Sequence, residues 1–342
     1  MQTRIISELE HVRVPVITLP WQGACSPDIE RLEKTMLAWA SRYGLLLTAK
    51  HRARVERARY ASFSGRSFPH AGPELLQALT DFTAWLFIID DHAVDRVDPL
   101  NETTLSQLTA VLDVLDLDQM GPEPVFGERA LRDVCQRLRS LLSPEHFARF
   151  AHGIRMWAGS AGLQIIAHLL GRPLALRPYR AFRRHTGGVN PSMALIDAAN
   201  AGPLSPEEYN RPSVERLRLH VNNIASWAND LHSLHTEARE PDQSRNMAMI
   251  YAAQGHSLQE GADYTARQIQ AEISAFQEEA AVLERAASKE LRGFISGLRE
   301  WLSGYHDWVD QITHRYREEY AEQDASDQEF LLVAEGQRRE AP

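Results

Sequence analysis

Two short acidic stretches hold the side chains best suited to chemistry: Asp90-Asp91-His92-Ala93-Val94-Asp95 and, 139 residues further on, Asn229-Asp230-Leu231-His232-Ser233-Leu234-His235-Thr236-Glu237. In the second stretch Asn229, Ser233 and Glu237 recur at every fourth position. On an α-helix, at about 100° per residue, such residues drift only about 40° per step and share one face. An amide, a hydroxyl and a carboxylate in one stripe are hard oxygen donors that suit Mg2+ or Mn2+, whereas zinc would want Cys or His in tetrahedral spacing. In the first stretch Asp91 and Asp95 are i, i+4 neighbours, but Asp90 lies about 100° round from Asp91. A helix end or a slight unwinding must bring Asp90 to a shared ion, and spacing leaves open which of Asp90, Asp91 and Asp95 ligate.

Each signal has a plainer reading. An acidic run is commonly a solvated helix end. The Asn/Ser/Glu stripe is harder to dismiss, because Asn and Ser are indifferent helix formers that favour caps and turns, and propensity asks for neither there. Arg183-Arg184 and Arg315-Tyr316, taken alone, are ordinary surface charge or rim. Gly187-Gly188 followed by Asn190-Pro191 conflicts with the helix expected over 178–200. Two glycines cost about 2 kcal/mol against alanine in a helix interior and Pro191 removes a backbone bond, so the helix should break there.

Trp85-Leu86-Phe87-Ile88-Ile89-Asp90-Asp91-His92, with Asp95, resembles the aspartate-rich motif, in its DDxxxD/E form, of class I terpene synthases of the microbial type. Asn229-Asp230-Leu231-x-Ser233-x-x-x-Glu237 is similar to that family's NSE triad. Arg183, 46 residues before Asn229, and Arg315-Tyr316, 86 residues after it, fall where the family has further motifs. The resemblance spans roughly residues 60 to 320 and implies an all-α, single-domain helical bundle around a deep apolar cavity. It further implies three Mg2+ ions, with Mn2+ able to substitute, held by Asp90, Asp91, Asp95, Asn229, Ser233 and Glu237. Arg183, Arg315 and Tyr316 would grip diphosphate, with Arg183 as its sensor, Thr186 as linker and Gly187 as the residue whose carbonyl faces the substrate. The implied reaction is ionisation and cyclisation of a linear isoprenyl diphosphate, farnesyl diphosphate foremost, to a cyclic terpene hydrocarbon or alcohol. A chain-elongating prenyltransferase is the alternative of like fold, but such enzymes resemble one another in carrying two aspartate-rich motifs. A non-catalytic helical interaction protein is the other alternative. One departure stands out: Thr236 occupies the position before Glu237 where the family commonly has a Lys, and His235 or Arg239 would have to substitute.

An allylic carbocation must be kept from water and needs a dry wall of groups that stabilise positive charge without reacting. Phe82, Trp85, Phe87, Trp227, Trp301, Tyr305 and Trp308 are the aromatic candidates, and Trp308, two turns before Arg315, is the first choice for such a wall.

The elements that must position these groups are helices. Expected spans are 26–43, 73–95, 104–116, 126–142, 144–170, 178–200, 212–238, 246–255, 258–285 and 288–320, from 3.6-residue periodicity and capping signals such as Ser26-Pro27-Asp28 and Pro212. Residues 1–25, with Val12, Val14 and Val16 in alternation, read as an extended arm, 26–320 as one helical domain, and 321–342 as a disordered tail. The stretch 239–245 reads as a mobile loop. A net charge of −9 argues against a nucleic-acid partner. No apolar run reaches the roughly 18 residues of a membrane span, and no signal pattern opens the chain. Cys25 and Cys135 lack metal or redox spacing, which makes a cytoplasmic setting the default. A monomer or homodimer acting on a small molecule is expected.

Overall fold

The computed structural model describes residues 2–94, 102–169, 174–200, 202–239 and 246–316, and every regular element among them is helical. In chain order these are α1 (Gln2–Leu9), α2 (Ile29–Arg42), α3 (Ala49–Ala58), α4 (Tyr60–Ser67), α5 (Pro73–Ile89), α6 (Glu102–Leu117), α7 (Glu128–Leu141) and α8 (Pro144–Leu169). There follow α9 (Leu176–Thr186), α10 (Val189–Met193), α11 (Ile196–Ala199), α12 (Pro206–Tyr209), α13 (Pro212–Glu237), α14 (Met247–Ala252), α15 (Leu258–Glu284) and α16 (Lys289–Asp307). Two π-helical turns extend the series, Asp90–Val94 directly after α5 and Trp308–Ile312 directly after α16. The expected all-α class is the observed one. No helix among the described residues is long and apolar enough to cross a membrane.

The long helices follow their sequence signals. Pro73 and Pro212 open α5 and α13, where a missing N–H costs nothing. Ser257 and Glu260 form a reciprocal capping box at the start of α15. Along α5 the buried Leu76, Leu79, Phe82, Trp85 and Ile89, spaced three and four apart, make one apolar face. Phe82 meets Phe150 of α8 edge-on at 4.8 Å, and Trp85 meets Trp157 of α8 at 6.0 Å. These two aromatics hold α5 against α8, and α13 packs along α15.

Four expectations are corrected. The N-terminal arm begins with α1, whose Arg4 donates to the carbonyls of Ala252 and His256 at 2.8 and 3.0 Å; only after residue 11 is it irregular. Residues 44–72, given no helix from sequence, contain α3 and α4. Their sequences, AKHRARVERA and YASFSGRS, carry too few apolar residues to show a stripe, yet α4 is buried along nearly its whole length between α5 and α16. The expected helix 178–200 is three short ones, divided first at Gly187-Gly188 as anticipated. The last helix stops at Asp307, so Arg315 and Tyr316 lie beyond it and beyond the second π-turn, not within a helix reaching 320. Asp95, the larger part of the loop 239–245 and the tail 321–342 lie outside the described residues.

Candidate active site

The two acidic stretches are joined through one dipeptide. Asp91, in the first π-turn, takes a bidentate pair of hydrogen bonds from the Arg315 guanidinium, that from Nη1 at 2.6 Å. The next residue, Tyr316, accepts a 2.8 Å bond at its hydroxyl from Asn229 Nδ2 on α13. Asp91 and Asn229, 138 positions apart in the sequence, are thus brought to one place by residues near 315. Arg315 also lies over the ring of Phe87 at 4.9 Å, and Phe87 stacks on Tyr60 at 5.0 Å. Aromatic faces under a guanidinium fix its plane as well as its charge.

The π-turn supplies the unwinding that the Asp90 position demanded. A π-turn closes over five residues instead of four, so the angular step between neighbours is smaller than in an α-helix. Asp90 and Asp91 are both half-buried, with Asp91 turned to Arg315 and Asp90 close enough to Arg183 to favour that group's charge.

Arg183, near the C-terminal end of α9, is the hub of the α13 side. Its Nη2 donates to Asn229 Oδ1 at 2.7 Å and to the Ser226 carbonyl at 3.2 Å, and its Nε donates to Asp230 Oδ1 at 3.1 Å. Sequence reasoning read Asp230 only as part of a motif; in the structure it is a fully buried anchor. Its carboxylate accepts from Arg183, from the Tyr179 hydroxyl, and from the Met247 backbone N–H at 2.9 Å. Burial pushes the Asp230 carboxyl upward, against the pull of Arg183, Tyr179 and the Met247 amide. Burial works against the Arg183 charge, but Asp230, Tyr179, Glu237 and Asp90 together more than offset it and the guanidinium stays protonated. Asn246 is a second unforeseen member: its Nδ2 donates to Glu237 Oε2 at 3.0 Å and to the Asp230 carbonyl at 2.6 Å. Asp, Tyr and Asn at these positions carry no periodic signal, so only the tertiary arrangement reveals them.

Along α13, Ser233 Oγ donates to the Asn229 carbonyl at 2.8 Å. Ser233 is buried and Asn229 and Glu237 are half-buried, and their helical spacing puts all three on one face. Thr186 is buried and its hydroxyl has no hydrogen-bond partner among the described residues. Gly187 follows with its Cα against α13; a Cβ there would meet Ser226 Oγ at 2.5 Å. Gly188, at φ +66, adopts the left-handed region, and a Cβ would meet Leu86 of α5 at 2.7 Å. The break is therefore wedged between the helices that bear the two acidic stretches.

Trp308 differs from expectation. It has no exposed surface, its indole N–H donates to the Ala58 carbonyl at 2.8 Å, and its ring stacks on Phe63 at 5.1 Å. Instead of forming an open wall it packs beneath Tyr316, 6.2 Å away, as a support for the segment that carries Arg315. Phe82 and Trp85 are likewise packed into the α5–α8 contact. Phe87, by contrast, lies under the Arg315 guanidinium, whose Nη1 also reaches the Tyr60 hydroxyl at 3.4 Å. The Tyr305 hydroxyl is buried beside Asn229 and Tyr316, and burial raises it well above the usual phenol range.

The donor set fits a hard divalent cation. Asn229, Ser233 and Glu237 present only oxygen donors besides the Asn229 amide nitrogen, which already faces Tyr316. Among the described residues no three His, Cys, Asp or Glu side chains converge on one point; the predicted set relies instead on Asn and Ser oxygens and on Asp95. The charged oxygens of Asp91 and the Oδ1 of Asn229 are held by Arg315 and Arg183, so a cation there requires these arginines to take other acceptors.

A prediction separates the acidic cluster from surface decoration. His92 sits against Phe126, ring centres 4.5 Å apart, on the side of the loop before α7, whereas Asp90 faces the charged centre. Asp90→Asn is expected to lower turnover about 100-fold, the scale of a lost charged group in a preorganised site, and His92→Ala by less than about threefold. Steady-state diphosphate release by both variants decides it; equal effects would remove Asp90 from the site.

A helical bundle that sets two acidic helix segments across from each other, with arginines between them and a broken helix alongside, is the arrangement of class I terpenoid synthases. Residues 81–275 match the family described as terpene synthase family 2, C-terminal metal binding. The chain belongs to that family, and with membership goes use of a divalent metal. It is 50% identical over 314 residues to a (+)-corvol ether B synthase/(+)-corvol ether A synthase, farnesyl diphosphate cyclizing, of Kitasatospora setae, covering 92% of this chain and 98% of that one. It is 47% identical over 328 residues to a sesquiterpene synthase of Metarhizium brunneum, covering 96% of each. Among solved structures, the SVS_A2 protein from ancestral sequence reconstruction superposes with a TM-score of 0.80 at 26% identity, over 87% of this chain and 90% of that one.

Proposed function

We propose that this terpene synthase ionises farnesyl diphosphate and cyclises the resulting cation to a sesquiterpene hydrocarbon or alcohol, as a cytoplasmic enzyme using three Mg2+ ions. The observation that carries the reading is the convergence of Asp91, Arg315, Tyr316, Asn229 and Arg183 at one place. The two sequence relatives above, one of them named for cyclising farnesyl diphosphate, support the substrate.

Asp90, Asp91 and Asp95 on one side and Asn229, Ser233 and Glu237 on the other would hold the ions, which supply charge neutralisation for the leaving diphosphate. Arg183 and Arg315 exchange their present acceptors, Asn229 and Asp91, for diphosphate oxygens, and the planar fork of each suits bidentate contact. Tyr316 adds a hydroxyl donor beside them. The Gly187 carbonyl offers a fixed dipole to the cation once the diphosphate has left. Thr236 removes the cationic contact usual at its position, so Arg183 and Arg315 carry more of the diphosphate's charge. An elongating transferase is disfavoured because an Asn/Ser/Glu stripe stands where a second aspartate-rich motif would be.

Purified protein given geranyl, farnesyl or geranylgeranyl diphosphate with Mg2+ is expected to release diphosphate and yield cyclic products from the farnesyl substrate foremost, read by gas chromatography. Adding isopentenyl diphosphate should not change the products. Longer-chain diphosphates on its addition would establish elongation instead, and no Mg2+-dependent diphosphate release from any substrate would end the enzymatic reading.

A further inference from the structure

The break between α9 and α10 takes their helical donors from the carbonyls of Arg184 and Gly187. In a continuous helix the amide of residue 188 would serve the carbonyl of Arg184, and that of residue 191 the carbonyl of Gly187. Here the Gly188 N–H turns to the His185 carbonyl at 3.3 Å, and Pro191 has no N–H to offer. The Arg184 carbonyl is satisfied from outside the helix, by two side-chain amides: Asn222 Nδ2 at 2.8 Å and Asn190 Nδ2 at 2.9 Å. Asn222 Nδ2 also donates to Asn190 Oδ1 at 2.9 Å, which ties the pair together and uses both of its hydrogens. Asn222 is buried on α13, one turn before Ser226, the residue against which Gly187 packs.

We propose that the Asn222–Asn190 amide pair holds the helix break in one geometry and thereby aims the Gly187 carbonyl at the cation, which makes both asparagines positioning residues for cyclisation. The inference rests on the function proposed above and assigns these residues to the step after ionisation. Neither amide touches Arg183, Arg315 or the oxygen donors of the acidic stretches, so loss of either leaves the diphosphate-binding groups in place. What changes is the direction of a fixed dipole, and a preorganised dipole stabilises charge only where it points. A cation held less firmly at one position loses protons or is captured earlier, so the mixture of products changes while its rate of formation does not.

Asn223 provides the control. It is adjacent to Asn222, also buried, and its Nδ2 makes a comparable 3.0 Å bond, but to Glu272 of α15 and away from the break. Asn222→Leu, Asn190→Ala and Asn223→Leu are compared with the unaltered chain by diphosphate release, KM, melting temperature and gas-chromatographic product ratio. Asn222→Leu and Asn190→Ala are expected to keep diphosphate release and KM within about threefold and to shift the ratio of the main cyclic product to acyclic and minor products about tenfold, the scale of one misdirected hydrogen bond. Asn223→Leu should lower the melting temperature with no change in ratio. If Asn222→Leu does not fold, Asn190→Ala, which removes one donor of the two from a half-buried position, decides alone. Ratios that stay constant, or diphosphate release that falls in step with cyclic product, overturn the inference and leave the amides a structural role. An inactive unaltered chain overturns the function reading together with this inference, whereas an active one with invariant ratios overturns this inference alone.

Discussion

Glu237→Gln is expected to lower diphosphate release at least about 100-fold while leaving the helical circular dichroism spectrum unchanged. Gln matches Glu in shape and keeps a carbonyl oxygen that can accept the 3.0 Å bond from Asn246 Nδ2. The α13–α14 contact therefore survives the substitution. What is lost is the one formal negative charge of the Asn229, Ser233, Glu237 stripe, and three neutral donors hold a divalent cation weakly. Turnover measured across a Mg2+ titration distinguishes a weakened ion site from a damaged fold: the variant should need far more Mg2+ to reach half-maximal rate. Unaltered turnover at ordinary Mg2+ would sink the assignment of the stripe to metal.

The second large effect concerns the buried pair Arg183–Asp230, separated by 2.8 Å. Arg183→Met is expected to destabilise the fold by about 3–5 kcal/mol, because it strands a carboxylate with no exposed surface that only Tyr179 and one backbone amide would then serve. Asp230→Leu should cost a similar amount by stranding the guanidinium. The double variant should recover much of the loss, since apolar replacement of a whole buried pair is often near neutral in stability. Turnover should stay lost in all three, because the guanidinium that would meet diphosphate is absent or misaimed. Chemical denaturation of the four proteins gives the coupling. Strictly additive stability losses would show that the two side chains act independently, and a turnover restored in the double variant would remove Arg183 from the reaction.

How much of this was legible beforehand follows from the kind of signal each part leaves. The stripe on α13 and the paired aspartates were readable because a repeat of four on a helix is a geometric statement in itself. The break at Gly187-Gly188 was readable because two glycines and a proline act on the backbone locally. Helices α3 and α4 were not, since α4 is buried by its neighbours despite three serines and a glycine, and no local pattern announces that. Trp308 was misplaced for a related reason: a tryptophan's position in the chain does not say whether its ring faces a cavity or, as here, an aromatic cluster with its N–H bound to Ala58. Asp230 and Asn246 escaped notice because their work is done across helices, by hydrogen bonds between residues remote in register. The swing of Asp90 and Asp91 depends on a π-turn, a feature with no compositional mark.

The joining of Asp91 to Arg315 also has a bearing on when this protein becomes dangerous to its own chemistry. Asp91 leaves the ribosome more than two hundred residues before its partner, and α1 waits longer still for the Ala252 carbonyl that Arg4 binds. A nascent chain can gather much of its helical core early, since helix contacts within neighbouring segments are local. The groups that would trigger ionisation are completed only by nearly the last described residues, after the walls around them are in place. On the roles proposed above for Arg315 and Tyr316, synthesis from one end to the other places the diphosphate-gripping groups after the helices that surround them.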